Sequence, residues 1–216
     1  MGIFGKKKRL FKESAEILAQ EGFSDNYISK LKEEVSQLKK PADIAKGNSY
    51  IINGLIVKGD LTEACEAFVK CEAEGSLEKL DKLLYPNLLQ NLIFAFFARD
   101  KFKEAERLYK EYNDKVLSEH TDAMKRTLAI HECINERYEN AVTVLAKILD
   151  SDCRFVDFCL VKTVLKLDMY ERARELSAGF DEYNGKNELE KEASKLKKKI
   201  FDGLSPKDKV KMIKKK

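Results

Sequence analysis

The 216-residue chain has no tryptophan, only three prolines and ten glycines, and two histidines. With so little Pro and Gly there are few breaks between elements, and runs with the period-2 alternation of a half-buried strand are missing. These absences argue against an all-β architecture and for a chain of helices. No apolar run approaches the ~20 residues of a membrane-spanning helix; the longest, Leu92 to Ala98, has seven. The N-terminal stretch MGIFGKKKRLFKES has charge but no apolar core segment, so it does not read as a secretory signal. Lys6 also stands where a myristoylation site needs a hydroxyl residue.

Catalytic signatures are missing as well. There is no GxxxxGK[ST] or GxGxxG loop to cradle phosphates and no GxSxG elbow. The segment HECIN, His131 to Asn135, carries half of a zinc-protease pair, because Asn135 stands where the second histidine belongs. His120 is the only other histidine. Cys133 follows His131 by two residues, about 200° around a helix, which separates a would-be nucleophile from its base. The five cysteines show no CxxC spacing. Cys65 and Cys71, like Cys153 and Cys159, stand about 120° apart on a helix, unsuited to sharing a metal or an intrahelical disulfide. They read as reduced, buried small hydrophobes. The expectation is a non-enzymatic, cytoplasmic protein with no cofactor and no metal site.

Charge is plentiful, at 36% of residues, and mean hydropathy is −0.45. The net charge of +4 is unevenly spread: residues 1–12 carry +5, residues 204–216 another +5, and the body between them −6. An acidic body lacks the basic face of a nucleic-acid-binding domain.

Four segments align: KGDLTEACEAF, RDKFKEAERLY, NERYENAVTVL and LDMYERARELS. Each sets a large residue three positions before an alanine: Leu61 and Ala64, Phe102 and Ala105, Tyr138 and Ala141, Tyr170 and Ala173. This spacing puts the pair on one helical face, where the alanine admits a close neighbour. An acid (Asp60, Asp100, Glu136 or Asp168) opens each segment, where it suits the positive end of a starting helix. Apolar helical stretches precede them at 42–57, 86–98, 121–134 and 153–167, with tight turns near 58–60, 99–101, 135–137 and 168–169. The alanines recur at spacings of 41, 36 and 32 residues, a solenoid-like period.

On these residues the chain resembles the tetratricopeptide repeat (TPR) proteins over 41–183. All four alanines of the second helices are present. The small residue in the middle of the first helix is kept only once, as Ala129, with Ile52, Ile93 and Val161 in the other copies. The resemblance implies an all-α fold, a right-handed superhelix (α-solenoid) of about four helix hairpins with capping helices at both ends. The caps are a hairpin within 10–40, with Gly22 as a left-handed stop and Ser24 as N-cap, and a helix over 187–201. An extra short helix is expected at 77–84, capped by Ser76. Residues 1–9 and 202–216 form basic tails.

The resemblance also implies a function: first helices lining a concave surface that binds a protein or peptide segment, with no bond made or broken. The concave candidates are Asn53, Gln90, Asn91, Phe94, Phe97, Arg126, Ile130, Phe155, Phe158 and Lys162, a mixture of apolar anchors and polar groups. Phe94, Phe97, Phe155 and Phe158 are equally compatible with an open groove and with one filled by the chain itself. A homo-oligomer is a further possible partnership. The alternative is a peripheral adaptor on an anionic membrane surface or RNA, held by Lys6, Lys7, Lys8 and Arg9 at one end and Lys214, Lys215 and Lys216 at the other.

Overall fold

A computed structural model describes residues 10–115, 122–147, 154–182 and 185–206. Every regular element among them is helical: α1 (Lys12–Glu21), α2 (Asp25–Ser36), α3 (Pro41–Lys58), α4 (Leu61–Ala73), α5 (Leu84–Ala98), α6 (Phe102–Lys115), α7 (Asp122–Ile134), α8 (Tyr138–Leu145), α9 (Arg154–Lys166), α10 (Tyr170–Leu176), a 3₁₀ turn (Ser177–Glu182) and α11 (Glu188–Gly203). By packing the chain divides into two units, Met1–Lys58 with Glu63–Leu88, and Gly59–Thr62 with Leu89–Lys216.

In the first unit, Gly22 closes α1 at φ 67° and donates its N–H to Leu18 O at 3.0 Å. Ser24 Oγ then accepts the Tyr27 N–H at 3.1 Å and starts α2, as its sequence position predicts. Tyr27, Ile28 and Leu31 are buried. They pack on α3 where that helix carries glycine. A Cβ at Gly54 would lie 2.7 Å from Ile28 Cδ1, and one at Gly47 2.3 Å from Val35 Cγ2. The two glycines give up helix propensity in exchange for close approach of α2.

The expected helix at 77–84 does not form. Gly75, at φ 63°, ends α4 with paired bonds, its own N–H to Glu72 O at 3.1 Å and that of Ser76 to Cys71 O at 2.9 Å. Ser76 Oγ is engaged by Cys71 O and by Asn48 Nδ2 rather than by a new helix start. Isolated turns follow, Leu83 is 81% exposed, and α5 begins at Leu84 with Pro86 in its first turn.

The second unit repeats one joint three times. Asp100, Glu136 and Asp168 have φ of 59°, 60° and 55°. At each, the left-handed residue bonds back to the carbonyl three before it, and the next residue to the carbonyl five before it. Thus Asp100 N meets Phe97 O and Lys101 N meets Phe96 O; the same pairs recur at Glu136/Arg137 and Asp168/Met169. These acids therefore close the preceding helix instead of opening the next one. At two of the three the residue is aspartate, whose short polar side chain tolerates the left-handed region better than a longer or branched one. In the first hairpin Gly59, at φ 95°, takes this place, one residue before Asp60. Ala64 in the first unit and Ala105, Ala141 and Ala173 in the second are all fully buried, which fits their expected place at close helix contacts.

Candidate interaction surface

Within the second unit, α5 and α9 touch directly. The Phe94 and Phe158 rings meet edge-on at 6.2 Å, and Phe158 lies 6.5 Å from Phe180. Phe94, Phe97, Ile130 and Phe158 are all buried. Lys162 crosses from α9 to the end of α5. Its Nζ donates to Phe97 O at 3.0 Å, pairs with Asp100 Oδ1 at 2.8 Å and lies 4.7 Å from the centre of the Phe97 ring. The exposed last-turn carbonyls of α5 thus meet a cation, which the helix dipole favours. The aromatic face left open or filled by sequence is filled at these positions, by the chain itself.

The polar candidates are arranged differently. Gln90 and Asn91 of α5 and Arg126 of α7 stay half-buried and line one recess with Phe94, Thr127, Ile130, Leu145 and Cys159. Its cavity volume is about 20 Å³, room for a single water molecule. Asn53 is half-buried on α3 in the first unit. Phe155 lies in α9, but its side chain falls outside the described residues, as do Lys6, Lys7, Lys8, Arg9, Lys214, Lys215 and Lys216 in full.

The HECIN segment is used in packing. His131 Nδ1 lies 2.9 Å from Glu106 Oε2, and the ring stacks on Tyr109 at 4.2 Å. Arg137 grips Glu132 with two N–H groups, each at 2.7 Å, and Asn140 donates a third bond at 3.2 Å. The guanidinium holds the Glu132 carboxyl down at about 2. Cys133 Sγ sits 3.0 Å from Thr163 Oγ1, and burial pushes its thiol pKa up. A thiol so placed is poorly suited to nucleophilic work. Among the described residues, no group of His, Cys, Asp and Glu is arranged to hold a metal ion, and no helix is long and apolar enough to cross a membrane.

Two arrangements escaped the sequence reading. Glu188, the first residue of α11, accepts from both N and Oγ1 of Thr62 at 2.7 Å and pairs with Arg99. Leu189 N donates to Gly59 O at 3.1 Å. Long-range pairs of this kind leave no local signal. Second, α11 exposes Lys191, Lys195, Lys198 and Lys199 along one side. Their spacing along one helical face was the readable signal.

No protein-family model matches the chain, and no curated protein matches it. Among solved structures, it is similar to a Podosopora anserina putative kinesin light chain with nearly identical TPR-like repeats, at 17% identity and a TM-score of 0.48. The match covers 77% of this chain and 89% of that one. Independently of that likeness, the described residues form an all-α fold of repeated helix hairpins, marked by the recurring joint and the buried alanines.

Proposed function

We propose that the protein is a non-catalytic interaction scaffold that holds a protein or peptide segment along the polar rim formed by Gln90, Asn91 and Arg126. The supporting observation is their convergence: two helices present amide and guanidinium groups, half-exposed, over the apolar floor of Phe94 and Ile130. Such a rim supplies donors for backbone carbonyls or acidic side chains of an extended segment, while the packed floor keeps it preorganised. The recess is too small for a large side chain, so recognition rests on surface hydrogen bonding rather than on deep apolar anchors. A second copy of the chain is one admissible partner. The setting is cytoplasmic, where the buried thiols of Cys65, Cys71, Cys133 and Cys159 remain reduced.

The test is affinity capture from native extract with wild type and Gln90→Ala/Asn91→Ala/Arg126→Ala, after circular dichroism confirms equal helicity. The variant is expected to lose specific bands that wild type retains. An unchanged captured set sinks the proposal. Phe94→Ala/Phe158→Ala is the wrong probe, because each substitution removes a core ring at about 3–5 kcal/mol.

A further inference from the structure

We propose that the open face of α3 is a docking strip for an amphipathic helix of another protein, acidic at one end and apolar about three turns away. One side of α3 is buried through Ala45, Ile52, Leu55 and Ile56, and α2 packs where Gly47 and Gly54 stand. Between these two sides Lys46, Tyr50, Asn53 and Val57 follow one another at the i, i+4, i+7 and i+11 spacing of a single stripe. The first three are half-buried, and Val57 is 46% exposed. Lys46 Nζ lies 5.7 Å from the centre of the Tyr50 ring, which Phe11 meets edge-on at 5.8 Å. Phe23, 38% exposed, flanks the far end of the stripe: a Cβ on Gly54 would lie 3.5 Å from its ring.

Charge runs one way along this strip. Lys39 and Lys40, just before α3, are exposed, and neither they nor Lys46 have a carboxylate partner among the described residues. The acids in the preceding stretch of chain are engaged elsewhere: Glu34 accepts from the N–H groups of Glu13 and Ser14, and Glu33 pairs with Lys30. Asp43 is the one acid in the first turn of α3. The far end carries Glu21 and Asp25 instead, the latter 88% exposed and paired with Lys58. A partner is thereby oriented, with its acids over the lysines and its apolar side chains over Val57 and Phe23. At 1.5 Å per residue, Lys46 and Val57 stand about 16 Å apart along the helix. Residues i and i+11 of a partner helix match that distance and share a face. Nucleic acid is the poorer match, because Glu21 and Asp25 would repel its phosphates at the far end. None of these residues lines the recess of Gln90, Asn91 and Arg126, so the strip stands on its own observations.

The full chain is tested by fluorescence anisotropy with a labelled synthetic helix in an alanine–glutamine background. The peptide carries a run of glutamates and, about eleven residues further on, a pair of leucines. Wild type is expected to bind it. Val57→Asp, and separately Lys39→Gln/Lys40→Gln/Lys46→Gln, should each weaken binding at least about tenfold, with helical circular dichroism unchanged. A peptide whose leucines stand only about five residues from the glutamates, on another face, should lose at least about as much. No binding to wild type overturns the proposal, as does equal binding by either variant. Equal binding by the lysine variant would assign the acidic peptide to the basic tails. A wild-type dimer in sedimentation velocity that Val57→Asp disperses would assign the strip to a second copy of the chain, which also overturns it.

Discussion

Replacing Lys162 by methionine isolates one interaction at the centre of the second unit. The lysine side chain is only 12% exposed, while its partner Asp100 is 67% exposed. The bond to Phe97 O, at 3.0 Å, is charge-assisted, a class that contributes about 1.5–3 kcal/mol. The second carbonyl, Ala98 O, lies at 3.4 Å, beyond the usual range, and adds little. The cation over the Phe97 ring contributes about 0.5–1 kcal/mol. The pair with exposed Asp100 is worth about 0–1 kcal/mol. Methionine keeps the apolar stem in place and avoids the desolvation cost of the ammonium, which offsets part of the loss. The expected net destabilisation is about 2–3 kcal/mol, read from urea unfolding followed by helical circular dichroism. The midpoint should fall with the slope unchanged. Asp100→Gly, which removes the exposed ion pair but relieves a left-handed residue, should change stability by less than about 1 kcal/mol. A Lys162→Met variant within about 0.5 kcal/mol of wild type would refute the reasoning, because the buried cation would then contribute no more than an ordinary surface charge.

Two further outcomes follow from the joints and from the Glu132 cluster. Glu136 is exposed at φ 60°, so Glu136→Gly should raise stability by about 0.5–1 kcal/mol, the strain relief exceeding the added freedom of the unfolded chain; a fall in melting temperature would contradict this. Glu132 is held at about 2 in the folded chain against 4.5 ordinarily. Its contribution is therefore complete above pH 4.5 and is lost as pH falls towards 2. The stability advantage of wild type over Arg137→Gln should shrink across that window, and a constant difference between the two would rule out this linkage.

Legibility varied with the range of the interaction. Gly22 and Ser24 act within a few residues of themselves, so their stop and cap could be read directly. The four buried alanines were equally plain, because an i, i+3 pattern is local and its repetition makes it stand out. The acids of the joints were located but given the wrong helix. A carboxylate beside a helix start favours the dipole, yet backbone φ decided its role, and φ is not visible in composition. The expected helix at 77–84 failed because Ser76 had other partners, one of them Asn48 on α3. The filling of the aromatic face depends on Phe94 meeting Phe158 and on Lys162 reaching Phe97, contacts between residues more than sixty positions apart. Periodicity could place those rings on a helix face, but it could not say what lay opposite them.

The direct meeting of α5 and α9 bears on how the second unit unfolds. In an array where each hairpin touches only its neighbours, stability is a sum of local terms, and ends can fray while the middle persists. Here the hairpin begun by α5 is bound to the one begun by α9 through Phe94–Phe158 and Lys162–Phe97, passing over the hairpin between them. Opening either end breaks contacts held by the other. Side chains two hairpins apart thus couple the opening of the two ends, a term that a row of repeats touching only their neighbours would lack.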